Sequence, residues 1–142
     1  MTFRIAWPMA IVAYFAFQTL YRVALGGSLG LDEAEIILHG QGLNWGYPPG
    51  LPLYAWLQTA VFAITGTSLL GLAVLKNALL CAMVLSVWGL MRTALPPREA
   101  GLAALGVILL PQISWESQRA LTHSVLVTLS AVVCFATLWW VV

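Results

Sequence analysis

Apolar runs and short polar breaks alternate along this chain at the length scale of a bilayer. Residues 5–25, 68–94 and 121–142 each approach the roughly 20 apolar residues that a membrane span needs, and they are read as spans 1, 2 and 4. Residues 100–111 form a shorter apolar run stopped by Pro111, read as a short span 3. The breaks are read as an outer loop with juxtamembrane helices over 26–67, a cytoplasmic turn over 95–99 and a second outer loop over 112–120. Inside the first loop, the aromatic-rich run 51–64 is short for a span. Its Tyr54 and Trp56 suit the headgroup level, so it is read as an interfacial or re-entrant helix, with a short second span as the alternative. The expected fold is therefore all-α: a polytopic membrane protein with about four transmembrane helices and a short amphipathic juxtamembrane helix.

Composition supports that reading. With 61 % hydrophobic and only 8 % charged residues, the chain lies far from the globular mix of about 25 % charged residues. A net charge of +1 excludes a nucleic-acid footprint or a polybasic lipid patch. Cys81 and Cys134 sit inside apolar runs, where neither a disulfide nor a metal cluster is expected. The first apolar run is too long for the core of a signal peptide, so it is read as a retained helix. If the chain crosses four times, Arg4, Arg92 and Arg98 share one side, and Arg22 and Arg119 the other. That bias places the N-terminus in the cytoplasm and both polar loops outside a cell (inner) membrane. The abrupt end on an apolar run suggests a fragment of a longer protein.

One stretch resists explanation by composition. Residues 31–52 gather Asp32, Glu33, Glu35, His39 and a Tyr47-Pro48-Pro49-Gly50 turn between oily segments. At about 100° per residue, Asp32, Glu35 and His39 fall on one helical face, Leu31, Ala34, Ile37 and Leu38 on another, and Glu33 points elsewhere. Two roles for Asp32 stay open: a helix cap completed by Glu35, and a general acid or base. Two carboxylates and an imidazole could also hold a divalent metal. Pro48 and Pro49 stiffen a loop whose aromatics can stack on a sugar or sit among headgroups. Lys76, about two turns into its span, either snorkels or faces an anion such as a lipid phosphate. Glu116, Arg119 and His123 form a second acid–base cluster or contain a simple Glu116–Arg119 ion pair.

The order of these features resembles the N-terminal region of glycosyltransferase family 39, the GT-C-fold group that includes protein O-mannosyltransferases and aminoarabinose transferases. The shared features are the Asp32-Glu33 pair after the first span, the Tyr47-Pro48-Pro49-Gly50 loop leading to Trp56, and the basic residue Lys76 early in the next span. The resemblance implies transfer of a sugar, with inversion, from a polyprenyl-phosphate carrier to a lipid, glycan or protein acceptor outside the membrane. It implies Asp32 and Glu33 as catalytic residues, with Asp32 the general base and Lys76 a cation for the leaving phosphate. Glu35, His39, Tyr47, Pro48, Pro49, Trp56, Arg119 and His123 are the expected substrate-binding side chains; no cofactor is assigned, and a divalent metal is possible. The chain departs from the family at His123-Ser124, where members often carry an aspartate, and members run to several hundred residues. A different class also fits the pattern: a small four-span transporter, flippase-like or assembly subunit without catalysis, with Lys76, Glu116 and His123 lining a path.

Overall fold

A computed structural model describes residues 3–47, 52–119 and 123–141, with side chains from Trp7 onward. Among the described residues the chain is all helical, with no strand. The order is α1 (Phe3–Leu25), α2 (Leu31–His39), α3 (Pro52–Thr65), α4 (Leu69–Ala94), α5 (Pro97–Ile108), a π-helical turn (Gln112–Glu116) running into α6 (Ser117–Arg119), and α7 (His123–Val141). Helices α1, α4 and α7 are long and apolar enough to cross a membrane, and α5 with the segment after it makes a fourth if that bent pair counts as one span.

Helix α4 is the centre of the bundle. Its start is fixed by Ser68, whose hydroxyl accepts from the Gly71 N–H at 3.2 Å. Half of its apolar window is buried, against 11 % for α1 and 6 % for α7, so the outer helices present most of their surface to lipid. The main core joins Ile11 and Phe15 of α1, Leu80, Met83 and Val84 of α4, Ala104 and Ile108 of α5, and Val125 of α7. Small residues set the helix spacing: Gly101 of α5 lies directly beneath the Trp7 indole, where any Cβ would collide.

A second cluster, Ile36, Tyr54, Phe62, Leu72 and Leu75, ties α2 and α3 to α4. At 14 residues α3 is shorter than the roughly 20 a span needs. Its Phe62 ring is wedged between two glycines: a Cβ on Gly40 would stand 2.8 Å from the ring, and so would one on Gly71. Gly71→Val is expected to cost about 1–3 kcal/mol by overpacking, read as a lower thermal midpoint of the full-length protein in detergent. Gly106→Ala, where nothing lies within 4 Å of the added methyl, is the control expected to leave the midpoint unchanged or raised.

One expectation is corrected. Residues 112–120, read as a loop from their polarity, are helical over Gln112–Arg119, bent by 64° from α5. Pro111 lacks the N–H that would continue α5, and the chain resumes as a π turn in which the Ser117 N–H reaches the Gln112 carbonyl. Residues i and i+5 overlie one another in such a turn, so Ser114 and Arg119 share a face. In α2 the apolar residues Leu31 and Leu38 are exposed while Glu33 and Ile36 are buried. In a membrane the apolar face turns outward to lipid, and the polar face packs against the protein.

Candidate functional site

Arg22, in the last turn of α1, continues a polar ladder at i, i+4 spacing. Gln18 donates to the Tyr14 hydroxyl at 2.9 Å, and Arg22 lies one turn further on the same face. The chain then reverses through Gly26 (φ 57°) and Gly27 (φ 91°), left-handed conformations that favour glycine. Arg22 Nη1 donates to the Gly26 carbonyl at 2.7 Å and fixes the turn.

The turn delivers the chain to Gly30, which is the N-cap of α2. Glu33 closes the capping box, its Oε2 accepting from the Gly30 N–H at 3.1 Å. Asp32 is therefore the second residue of the helix rather than its cap, which corrects the capping reading. Among the described residues it makes no side-chain hydrogen bond or ion pair.

Glu33 is the buried acid. Its Oε2 accepts from Arg22 Nη2 at 2.8 Å, and its Oε1 lies 3.7 Å from Lys76 Nζ of α4, with both Glu33 and Lys76 side chains 4 % exposed. One carboxylate thus joins α1, the start of α2 and α4. Lys76 is buried and does not snorkel; the anion it faces is the Glu33 carboxylate, and it does not line the cavity described next.

A cavity of about 780 Å³ opens beside this clamp. It is lined by Gln18 and Arg22 of α1, the Gly26–Gly30 turn, Asp32 and Glu33 of α2, and Trp115, Gln118 and Arg119 of the bent segment. Gln118 Nε2 donates to Asn77 Oδ1 at 2.8 Å, so the segment carrying Arg119 is tied to α4 one residue beyond Lys76. The arrangement brings the Asp32 carboxylate and the Arg119 guanidinium, neither with a side-chain partner among the described residues, to one space large enough for a sugar and a phosphate.

The other expected site residues stand apart. Glu35 and His39 pair with each other at 3.8 Å, and His39 leans on the Tyr47 ring at 5.0 Å. Neither lines the cavity, so the face shared with Asp32 does not converge on one point. Among the described residues no group of three His, Cys, Asp or Glu side chains is placed to hold a metal ion. The Tyr47 hydroxyl donates to the Gly42 carbonyl and accepts from the Asn44 N–H at 2.8 Å, while Trp56 Nε1 donates to the Asn44 carbonyl at 2.9 Å. These aromatics brace their loop. Pro48 and Pro49 lie outside the described residues.

Glu116 and Arg119 form no ion pair, and His123 packs edge-on to Tyr54 with ring centroids 5.3 Å apart. The expected second cluster is thus divided between the cavity and α3. Burial, and after it the charge of Glu33, push the Tyr54 hydroxyl above the ordinary tyrosine range, so it stays a neutral phenol. Sequence reading missed Gln18, Trp115 and Gln118 as cavity walls and Arg22 as the partner of Glu33. For Gln18 and Arg22 the signal was present, as two polar residues four apart in an apolar helix.

No protein-family model matches the chain, and no solved structure matches it. Two curated relatives do, both from Rhizobium johnstonii. The lipopolysaccharide core galacturonosyltransferase RgtB is 42 % identical over 134 residues, which cover 92 % of this chain and 27 % of the relative. The lipopolysaccharide core galacturonosyltransferase RgtA is 42 % identical over 119 residues, covering 82 % of this chain and 23 % of the relative. The chain is thus similar to glycosyltransferases and spans about a quarter of their length.

Proposed function

We propose that this chain carries the acceptor-activating end of a membrane glycosyltransferase of GT-C type. The enzyme transfers a hexuronic acid, in keeping with the names of its relatives, from a polyprenyl-phosphate carrier to a glycan acceptor such as a lipopolysaccharide core. The observation that carries this reading is the division of labour between two adjacent acids. Glu33 is consumed by Arg22 and Lys76, whereas Asp32 faces an open cavity with no partner among the described residues.

In the proposed reaction an acceptor hydroxyl oxygen attacks the anomeric carbon from the side opposite the carrier phosphate. Its proton passes to the Asp32 carboxylate as the new C–O bond forms. The bond from the anomeric carbon to the phosphate oxygen breaks, and the phosphate leaves with the electron pair. Inversion follows from this single displacement. The developing phosphate charge is met by Arg119, with Arg22 of the same cavity held by Glu33, and Lys76 acts only through Glu33. The cavity faces outward across a cell (inner) membrane, because Arg92 and Arg98 lie at the opposite end of the bundle with the N-terminus of α1.

The test is donor choice by the full-length protein in vesicles. Labelled sugar is expected to reach the acceptor from a polyprenyl-phosphate hexuronic acid and not from the corresponding nucleotide sugar. Direct transfer from the nucleotide sugar, or none from either donor, would sink the reading.

A further inference from the structure

At the end of the bundle away from Asp32, Gly89, Arg92 and Thr93 of α4 and Trp139 and Trp140 of α7 enclose a cleft of about 570 Å³. The three α4 residues are spaced i, i+3, i+4 and so share one face. The wall is preformed: Trp139 Nε1 donates to Thr93 Oγ1 at 3.2 Å, and Thr93 donates onward to the Leu90 carbonyl at 2.7 Å. Arg92 gives one nitrogen to the Leu95 carbonyl at 2.9 Å, and no carboxylate lies within 4.0 Å of it among the described residues. A Cβ on Gly89 would meet nothing within 4 Å, so the glycine leaves the floor of the cleft open.

The cleft lies at the ends of two helices long and apolar enough to cross the membrane, which sets it at the headgroup level. It combines a guanidinium with unused donors, two indoles at interfacial depth and an outlet along α7, only 6 % of whose apolar window is buried. A guanidinium in such a place is matched by the phosphate of a lipid headgroup, whose acyl chains continue along the apolar helices.

We propose that this cleft binds the headgroup of an anionic glycerophospholipid, with Arg92 on the phosphate and Trp139 and Trp140 flanking it. The bound lipid bridges α4 and α7, and pins α7 to the bundle at its far end. The site is independent of the sugar-transfer reading, since none of its residues lines the Asp32 cavity.

The test uses the full-length protein purified in detergent, with lipid occupancy read by native mass spectrometry and stability by thermal unfolding. Phosphatidylglycerol is expected to bind and raise the midpoint more than phosphatidylcholine. Arg92→Gln is expected to weaken phosphatidylglycerol binding about tenfold, the scale of one charge-assisted contact. Gly89→Leu fills the cleft with a better helix former while keeping Arg92, so it removes the lipid effect without unfolding α4. Equal retention of phosphatidylglycerol by the parent protein and Gly89→Leu would overturn the proposal, as would equal binding of the two lipids by the parent. Because Gly89→Leu stands on its own, the outcome is decided even where Arg92→Gln fails to fold.

Discussion

Full-length protein carrying Asp32→Asn is expected to lose sugar transfer by about 10²–10⁴-fold, the usual contribution of a positioned general base. The loss should fall on kcat, with the KM for the lipid-linked donor little changed, because the amide keeps the size of the side chain and the cavity keeps Arg119. The same variant separates catalysis from capping. Gly30 and Glu33 close the capping box, so Asp32 contributes to α2 only through its charge near the helix start. That charge is worth about 0.3–1 kcal/mol, and the thermal midpoint should hardly move. A kcat within about twofold of the parent would remove Asp32 from the chemistry.

The largest effect on stability is expected at the neighbouring position. Glu33→Ala leaves Lys76 buried, and Arg22 partly buried, without their shared carboxylate, a change of the kind that costs about 3–5 kcal/mol. Lys76→Met should cost much less, since Arg22 still answers Glu33 at 2.8 Å and the methionine fills a similar volume. The double variant Glu33→Gln with Lys76→Met should then be more stable than Glu33→Gln alone, by a coupling that a double-mutant cycle measures. Thermal unfolding of the full-length protein in detergent checks all three. A Lys76→Met midpoint as low as that of Glu33→Ala would show that the lysine, and not the carboxylate, holds this corner together.

Much of the fold was legible because bilayer thickness is written directly into run length. Helices α1 (Phe3–Leu25), α4 (Leu69–Ala94) and α7 (His123–Val141) occupy apolar runs that sequence alone brings out. The site was legible in its location and less so in its geometry. Periodicity sorts the faces of α2 correctly, but deciding which face is inside requires knowing the solvent. Lipid takes Leu31 and Leu38, and Glu33 goes in. Lys76 read alone has only water or an external anion as a partner; its actual partner is far away in sequence and comes near only when α2 folds back on α4. The segment Gln112–Arg119 looks like a loop because it is polar. Its polarity belongs instead to a helix that lines the cavity.

The Phe62 ring, locked between Gly40 and Gly71, has a mechanical consequence. It couples the far end of α2 to the first turn of α4, as the Glu33 carboxylate couples the near end. Held at both ends, α2 is braced against α4, and Asp32 beside the cavity stands on a fixed seat. The far side of the cavity is tied to the same helix, since Gln118 Nε2 bonds Asn77 Oδ1 of α4, so α4 is the common frame that sets Asp32 and Arg119 relative to each other.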